Sequence, residues 1–361
     1  MRSLSGNRSA RRAGPGGATL VVQPLPGIGD MVWHLPHLHA LAAASPGGRL
    51  SILAKPRSQA DRLLRGDPAI DRVLWVRRNP GPHDGVRGFF RLVALIRGGG
   101  FRRIWVLHDS SRYLLAALLA GVPERSGYGK GLQRFLQTSP VRLPRDGPGH
   151  PFDKAHRLLA LHGLDPGRYE PRLYVGQAAR ARVTARYARA PRPWIAFGIG
   201  GSEASKRWGQ ARFAELARRA CGLAGASVML VGGPGEALAA RGIAAKAGGE
   251  PCRVFTATDL AIDETAALLS QCCLYVGNDT GALNVAAAVG VEALGLFGGS
   301  PPLVHSPHIH ALVPPDGARA HGGEGGMTDI TVDAVLARMG ELLQASILHG
   351  RPTDDTAPGT G

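Results

Sequence analysis

The feature that most constrains this chain is a unit repeated along it: a short apolar run, a glycine-bearing loop, and a helical stretch that starts at once. In the first half, residues 18–25, 49–54, 71–76 and 103–108 read as strands, and 89–97, 113–120 and 152–163 as helices. In the second half, 194–197, 227–231, 273–276 and 293–297 read as strands, and 210–221, 263–270, 282–289 and 331–348 as helices. Such alternation predicts parallel sheets with helices on their faces. The expected fold class is α/β, with two Rossmann-like domains. The Arg-rich stretch 176–193, ending in Pro191-Arg192-Pro193, marks the junction. An N-terminal domain is expected over 18–185 and a C-terminal one over 190–348. A basic tail, 1–17, and a polar tail, 349–361, are expected to be disordered. Ligands of open α/β sheets bind at the carboxyl ends of the strands. The two sheets are expected to face one another there, across a central cleft.

Composition narrows the partners. Hydrophobic residues make up 44% of the chain and aromatics only 6%, so small aliphatic side chains must build the cores. Lys and Arg exceed Asp and Glu by 16. The excess is spread along the chain, without an aromatic-interleaved basic stripe or a nucleic-acid module signature, so nucleic acid is not the expected partner. A phosphate-rich substrate or an anionic lipid surface answers the charge, and so does a genome that favours Arg codons. The four cysteines, Cys221, Cys252, Cys272 and Cys273, form no C-x-x-C and read as structural thiols of a reducing compartment. No run approaches the roughly 20 apolar residues of a membrane span. The basic N-terminus has no apolar region behind it, so it is not read as a secretory signal. The expected location is cytoplasmic, with peripheral contact at the cytoplasmic face of the inner membrane.

Three segments carry the chemistry. Residues 276–301, VGNDTGALNVAAAVGVEALGLFGGSP, feed a strand through a tight turn into a helix. Such a start aims free N–H groups and a positive dipole end at an anion. Asp279 or Thr280 can cap that helix, and Gly281 lets a ligand approach the backbone. A plain capped helix accounts for the same residues. Residues 195–216 run from a strand through a Gly-Gly-Ser loop to Lys206, Arg207 and Trp208, a set suited to a diphosphate or to an ordinary solvated loop. Neither G-x-x-x-x-G-K-[ST] nor a clean G-x-G-x-x-G is present. Residues 24–36, PLPGIGDMVWHLP, place Asp30 at a glycine-loop-to-helix junction, where it can cap the helix or serve as a general base. The clusters His34, His37, His39 and His305, His308, His310 lack the Cys or carboxylate partners of a metal site and read as surface or cleft histidines.

Taken together, these segments resemble glycosyltransferase family 9, the ADP-heptose lipopolysaccharide heptosyltransferases. Gly29, Asp30 and Pro36 match the family's G-[DN]-x-x-x-x-x-P. Gly201, Ser202, Lys206 and Trp208 match its G-[ST]-x-x-K-x-W, a motif of variable spacing that here has three residues between Ser202 and Lys206, and Gly232, Gly233, Pro234 and Glu236 match G-G-P-x-E. Residues 277–290 match G-N-D-T-G-x-x-H-x-A-A-A-x-G except at Asn284, where the family usually has His. Phe297, Gly298, Ser300 and Pro301-Pro302 approximate F-G-x-[ST]-x-P. A second departure is Phe197-Gly198-Ile199, where the family often has an Asn-Pro pair. In order, the resemblance spans residues 20–343.

The resemblance implies a GT-B fold, with acceptor bound by the first half and nucleotide sugar by the second. It implies an inverting glycosyltransferase that moves a heptose-like sugar from a nucleotide diphosphate, ADP-heptose, to an anionic glycolipid acceptor such as lipopolysaccharide core. Asp30 would be the base. Ser202, Lys206, Glu236, Asp279, Thr280, Gly281 and Asn284 would serve the donor, and Gly29, His108 and Asp109 would lie on the acceptor side. No cofactor and no protein-bound metal is called for. Asn284 favours an alternative from another class, a non-catalytic nucleotide-sugar-binding protein of a polysaccharide assembly complex. Asp30 and Lys206 count against it.

Overall fold

The computed structural model describes residues 18–348 apart from 145, 147–148, 202, 249–252, 299–301, 303–305 and 316–325, and leaves aside the side chains of 223–224 and 345–348. Both tails lie outside the described residues, as do Ser202, Cys252, Ser300, Pro301 and His305. In chain order the first part reads β1 (Thr19–Val22), α1 (Ile28–Trp33), α2 (Leu35–Ala43), β2 (Leu50–Ala54), α3 (Ala60–Leu63), β3 (Ile70–Trp75), α4 (Gly85–Gly98), β4 (Arg103–Val106), α5 (Arg112–Ala120), β5 (Glu124–Gly127), α6 (Gln133–Leu136) and α7 (Pro151–Leu161). The second part reads α8 (Gln177–Arg186), β6 (Trp194–Gly198), α9 (Gln210–Ala224), β7 (Ser227–Val231), α10 (Ala237–Ala247), β8 (Arg253–Ala257), α11 (Ile262–Leu269), β9 (Leu274–Asn278), α12 (Gly281–Ala288), β10 (Ala293–Leu296), β11 (Ile309–Leu312) and α13 (Val332–Leu348).

The chain divides into two compact units. The first holds the described residues up to Pro26, His34–Asp61 and Asp67–Tyr169. Its five strands are all parallel, in the order β3-β2-β1-β4-β5, with Leu20 opposite Ser51 on one side and Ile104 on the other. Strands β1 and β2 are buried throughout, which is why they read as nearly continuous apolar runs. Leu20, Val22, Leu53, Ile104 and Val106 pack with Leu92, Val93 and Ile96 of α4 and Leu114 and Ala117 of α5. The order reverses between β1 and β4, so the loops after these two strands lie at the switch point of the sheet.

The second unit holds Gly27–Trp33, Arg62–Gly66 and the chain from Glu170. Its six parallel strands run β11-β10-β9-β6-β7-β8, with the reversal between β9 and β6. Phe197 pairs with Leu230 and with Val276, so the central strands are in register at their carboxyl ends. Its core joins Ile195, Phe197, Val228, Leu230, Leu274 and Val276 to Phe213 and Leu216 of α9 and Val335 and Met339 of α13.

The boundary differs from the one read in the sequence. Residues 170–185 belong to the second unit, because α8 is tied to it: Arg182 pairs with Glu264, Arg186 with both oxygens of Asp259, and Thr184 with Gln271. Segment 27–33 also joins the second unit, since α1 packs on α12. Three strands, β5, β8 and β11, have no counterpart in the sequence reading. Each is the edge of its sheet. Strand β5 reads Glu-Arg-Ser-Gly, and β8 is only half covered, so neither shows the apolar run that betrays a central strand.

Candidate active site

The carboxyl ends of β9, β6 and β7 bring three loops together beside the switch point of the second sheet. The loop after β6 passes through Gly200 and Gly201 into the single turn Ala204–Lys206. It is held by Asn278, a fully buried residue at the end of β9. The Asn278 Nδ2 donates to the carbonyls of Ile199 (3.2 Å) and Gly200 (2.8 Å), and its Oδ1 accepts the Trp208 amide at 3.1 Å. Burying a side-chain amide is stable only when its groups are paired, and here the pairing shapes the loop. The Lys206 Nζ then reaches the Asp279 Oδ2 at 3.0 Å, both side chains being about three-quarters covered. Asp279 directly precedes Thr280, the N-cap of α12. A cation and a helix N-terminus thus stand side by side, as anion recognition requires. Thr280 makes no side-chain cap hydrogen bond, so capping does not consume its hydroxyl.

Glu236 closes the third loop. Its Oε2 accepts the Gly233 amide at 2.8 Å, and the carboxyl lies close to Gly200 of the first loop. Trp208 is fully buried, donates from its indole to the Ile330 carbonyl at 2.8 Å, and meets Phe213 edge to face. Trp208 thus packs on the chain. Arg207 folds back on the Gly201 carbonyl at 2.9 Å.

Asp30 is the third residue of α1 and half-buried. Its Oδ2 accepts the Gly27 amide at 2.9 Å, the reach-back contact of an acidic side chain in a first turn. Gly29 and Gly281 allow α1 and α12 to meet at backbone distance: a Cβ on Gly281 would stand 3.1 Å from the Ile28 Cβ, and one on Gly29 would stand 3.0 Å from the Asn284 Nδ2. The first role expected of Gly281, admitting a ligand, is therefore joined by another, admitting a helix. Gly29, read as an acceptor-side residue, lies against α12.

Asn284 joins the same contact. It is only 5% exposed. Its Oδ1 accepts the Trp33 indole N–H, and its Nδ2 donates to the Thr280 carbonyl at 3.1 Å. The side chain thus ties α1 to the first turn of α12. No sequence reading singled out Trp33 or Asn278. Asn278 sits inside a recognised motif, but Trp33 is 251 residues from its partner and no local pattern could reveal it.

His108 and Asp109 follow β4 in the first unit. The His108 carbonyl accepts from Gln133 at 2.7 Å, its ring accepts the Ser110 amide, and burial holds its imidazole below the ordinary value. Asp109 pairs with Lys154 at 2.7 Å. The remaining histidines correct the sequence reading. His34 and His37 are fully buried, His37 lying between His34, Phe152 and His156. His39 meets Asp67 at 2.8 Å. His308 and His310 do have a carboxylate, Glu292, which contacts both at 2.8 and 2.6 Å. Among the described residues, no group of three or more His, Cys, Asp or Glu is arranged to hold a metal ion. Cys221 and Cys272 are buried, and Cys273 is half-buried.

Comparison with known proteins bears on this geometry. The family model glycosyltransferase family 9 (heptosyltransferase) matches residues 97–312. The chain is 27% identical over 343 residues to lipopolysaccharide heptosyltransferase 2 of Escherichia coli (strain K12), covering 88% of this chain and 96% of that one. The solved structure of E. coli ADP-heptose LPS heptosyltransferase II matches with a TM-score of 0.72 at 22% identity, over 91% of this chain and 99% of that one. A glycosyl transferase family 9 protein from Veillonella parvula DSM 2008 matches with a TM-score of 0.75 at 22% identity, over 91% and 97%. These likenesses carry the GT-B fold, and the family match, spanning more than half of the chain, carries the class of enzyme: the protein belongs to glycosyltransferase family 9 and is a glycosyltransferase.

Proposed function

We propose that the protein transfers a heptose from ADP-heptose to an anionic glycolipid acceptor of the lipopolysaccharide-core type, in the cytoplasm. The observation that carries this reading is the meeting of Lys206, Asp279 and the N-terminus of α12 at the switch point of the second sheet. A nucleoside diphosphate leaves with negative charge, and an ammonium beside oriented amides offsets it where it forms. Asp30 takes the proton from the acceptor hydroxyl as the oxygen attacks the anomeric carbon. The bond to the diphosphate breaks on the opposite face, so configuration inverts in one displacement. Asp30 rides on the helix that packs against α12, which supports a fixed geometry between base and leaving group. Glu236 and Ser202 complete the donor side; His108 and Asp109 serve the acceptor. The E. coli relative is a lipopolysaccharide heptosyltransferase and the matching structure is named for ADP-heptose. The non-catalytic alternative is not favoured, since the matched relatives are transferases. The test is ADP release from ADP-heptose in the presence of core glycolipid, beside melting curves with ADP, UDP, GDP and CDP. Transfer from ADP-heptose with stabilisation by ADP supports the reading. Absence of both sinks it.

A further inference from the structure

Six of the exposed large hydrophobic side chains lie on three neighbouring helices of the first unit, and a seventh, Leu132, caps the third of them. Helix α4 returns the chain from β3 to β4 and α5 carries it from β4 to β5. Both steps run the same way across the sheet, so right-handed crossovers set both helices on one face, where they pack together. Helix α6 packs on α5. The sides turned away from the core carry Val86 and Phe90 on α4, Leu118 and Leu119 on α5, and Leu132 and Phe135 at α6. Phe90 is 58% exposed and Phe135 70%, far more than large aromatic side chains in a core-building role. Exposed apolar groups clustered in this way mark an interaction surface rather than scatter.

The charge around them names the partner. Between residues 85 and 145 there are eleven Lys and Arg but only two acids, Asp109 and Glu124. Both acids are paired, with Lys154 and Arg103. Helices α4, α5 and α6 contain no carboxylate at all. Arg87 and Arg91 flank Phe90, Arg97 bonds the Leu119 carbonyl at the end of α5, and the Arg134 guanidinium lies 4.4 Å from the centre of the Phe135 ring. Apolar groups ringed by cations, on helices that carry no carboxylate, complement an interface that is apolar inside and negatively charged outside. No helix among the described residues is long and apolar enough to cross a membrane.

We propose that the outer face of α4, α5 and α6 docks the protein onto an anionic phospholipid surface, with Phe90 and Phe135 inserted among the acyl chains and the arginines on the phosphates. This deepens the glycolipid-acceptor reading and rests on it for its purpose: a transferase whose acceptor is a lipid works where that lipid lies. The experiment is flotation of the full chain with phosphatidylcholine vesicles and with mixed phosphatidylglycerol–phosphatidylcholine vesicles. The protein is expected to float with the mixed vesicles and not with the neutral ones, and added salt should weaken binding. The double variant Phe90→Ser, Phe135→Ser should lower binding by about tenfold or more with an unchanged melting temperature. Leu238→Ser, an equally exposed position in the other unit, should bind as the wild type does. Equal binding by the double variant, or no binding by the wild type, overturns the proposal. So does self-association in solution that the double variant abolishes without vesicle binding, since the face would then join two copies. Transfer to a deacylated acceptor in solution separates this from the functional reading: the double variant should retain it, and its absence from the wild type would sink the enzyme reading while leaving vesicle binding intact.

Discussion

Asp30 accepts the Gly27 amide, and a capping role and a proton-accepting role make different demands on it. Asn can accept the same amide but cannot take a proton. Asp30→Asn is therefore expected to melt as the wild type does, to bind ADP normally, and to lose turnover by about 10²–10⁴-fold. Near-normal kcat beside a normal melting curve would move the search to His108 and Asp109. Lys206 is held 3.0 Å from Asp279, at the edge of α12. A charge-assisted contact to a phosphate is worth about 1.5–3 kcal/mol, so Lys206→Ala should weaken ADP binding by about tenfold or more in calorimetry; unchanged affinity would remove Lys206 from the donor site. Asn284 is the family's usual His position, yet here its amide spans the Trp33 indole and the Thr280 carbonyl. A donor contact there would have to be made beside these two bonds. Trp33→Phe leaves the buried Asn284 oxygen without its donor, at a cost of about 1–3 kcal/mol. Thermal unfolding should register that loss, and a melting temperature equal to the wild type's would show the tie to be idle.

At the scale of elements, the contact between α1 and α12 depends on two glycines. A methyl group at Gly281 would press on the Ile28 Cβ at 3.1 Å, with the Gly29 amide 3.4 Å away. Overpacking of this kind costs about 1–3 kcal/mol. Gly281→Ala is expected to lower the melting temperature, and the displaced α1 should carry Asp30 with it, so that kcat falls as well. A variant with full stability and full turnover would contradict the contact. The central strands and most helices were legible because a parallel strand covered on both faces is a nearly continuous apolar run, as in Leu-Ser-Ile-Leu-Ala of β2 and Ser-Val-Met-Leu-Val of β7. The edge strands β5, β8 and β11 escaped because an edge needs less apolar cover, while β3, the fourth edge, kept enough apolar residues to be read. The start of α4 at Gly85, a turn before the expected position, escaped because its first turn, Gly-Val-Arg-Gly, is exposed on most sides.

For the whole molecule, pH acts through half-buried histidines and through carboxylates bonded to arginine. Burial holds the imidazoles of His83, His108 and His162 below their ordinary value. Unfolding returns them to about 6.5, so the unfolded chain takes up more protons near that pH and stability falls as the pH drops below it. Asp259 and Glu264 are held low by their bonds to Arg186 and Arg182, the pairs that fasten α8. Their contribution is present above about pH 4 and disappears on further acidification. The melting temperature should be level above about pH 7, decline through the histidine range, and drop again in acid. A melting temperature that rises from about pH 7 to pH 5 would contradict these shifts.

Local sequence was sufficient for the α/β class and for the glycine loops at strand ends, because period, turn chemistry and helix starts are written in neighbouring residues. The tertiary structure alone decided that α1 belongs to the unit of α12, that α8 joins the second unit, and that Asn284 meets Trp33. Those outcomes depend on side chains up to 251 residues apart meeting at close-packed surfaces. Complementarity of that kind has no period and no spacing, so it exists only once the chain has folded.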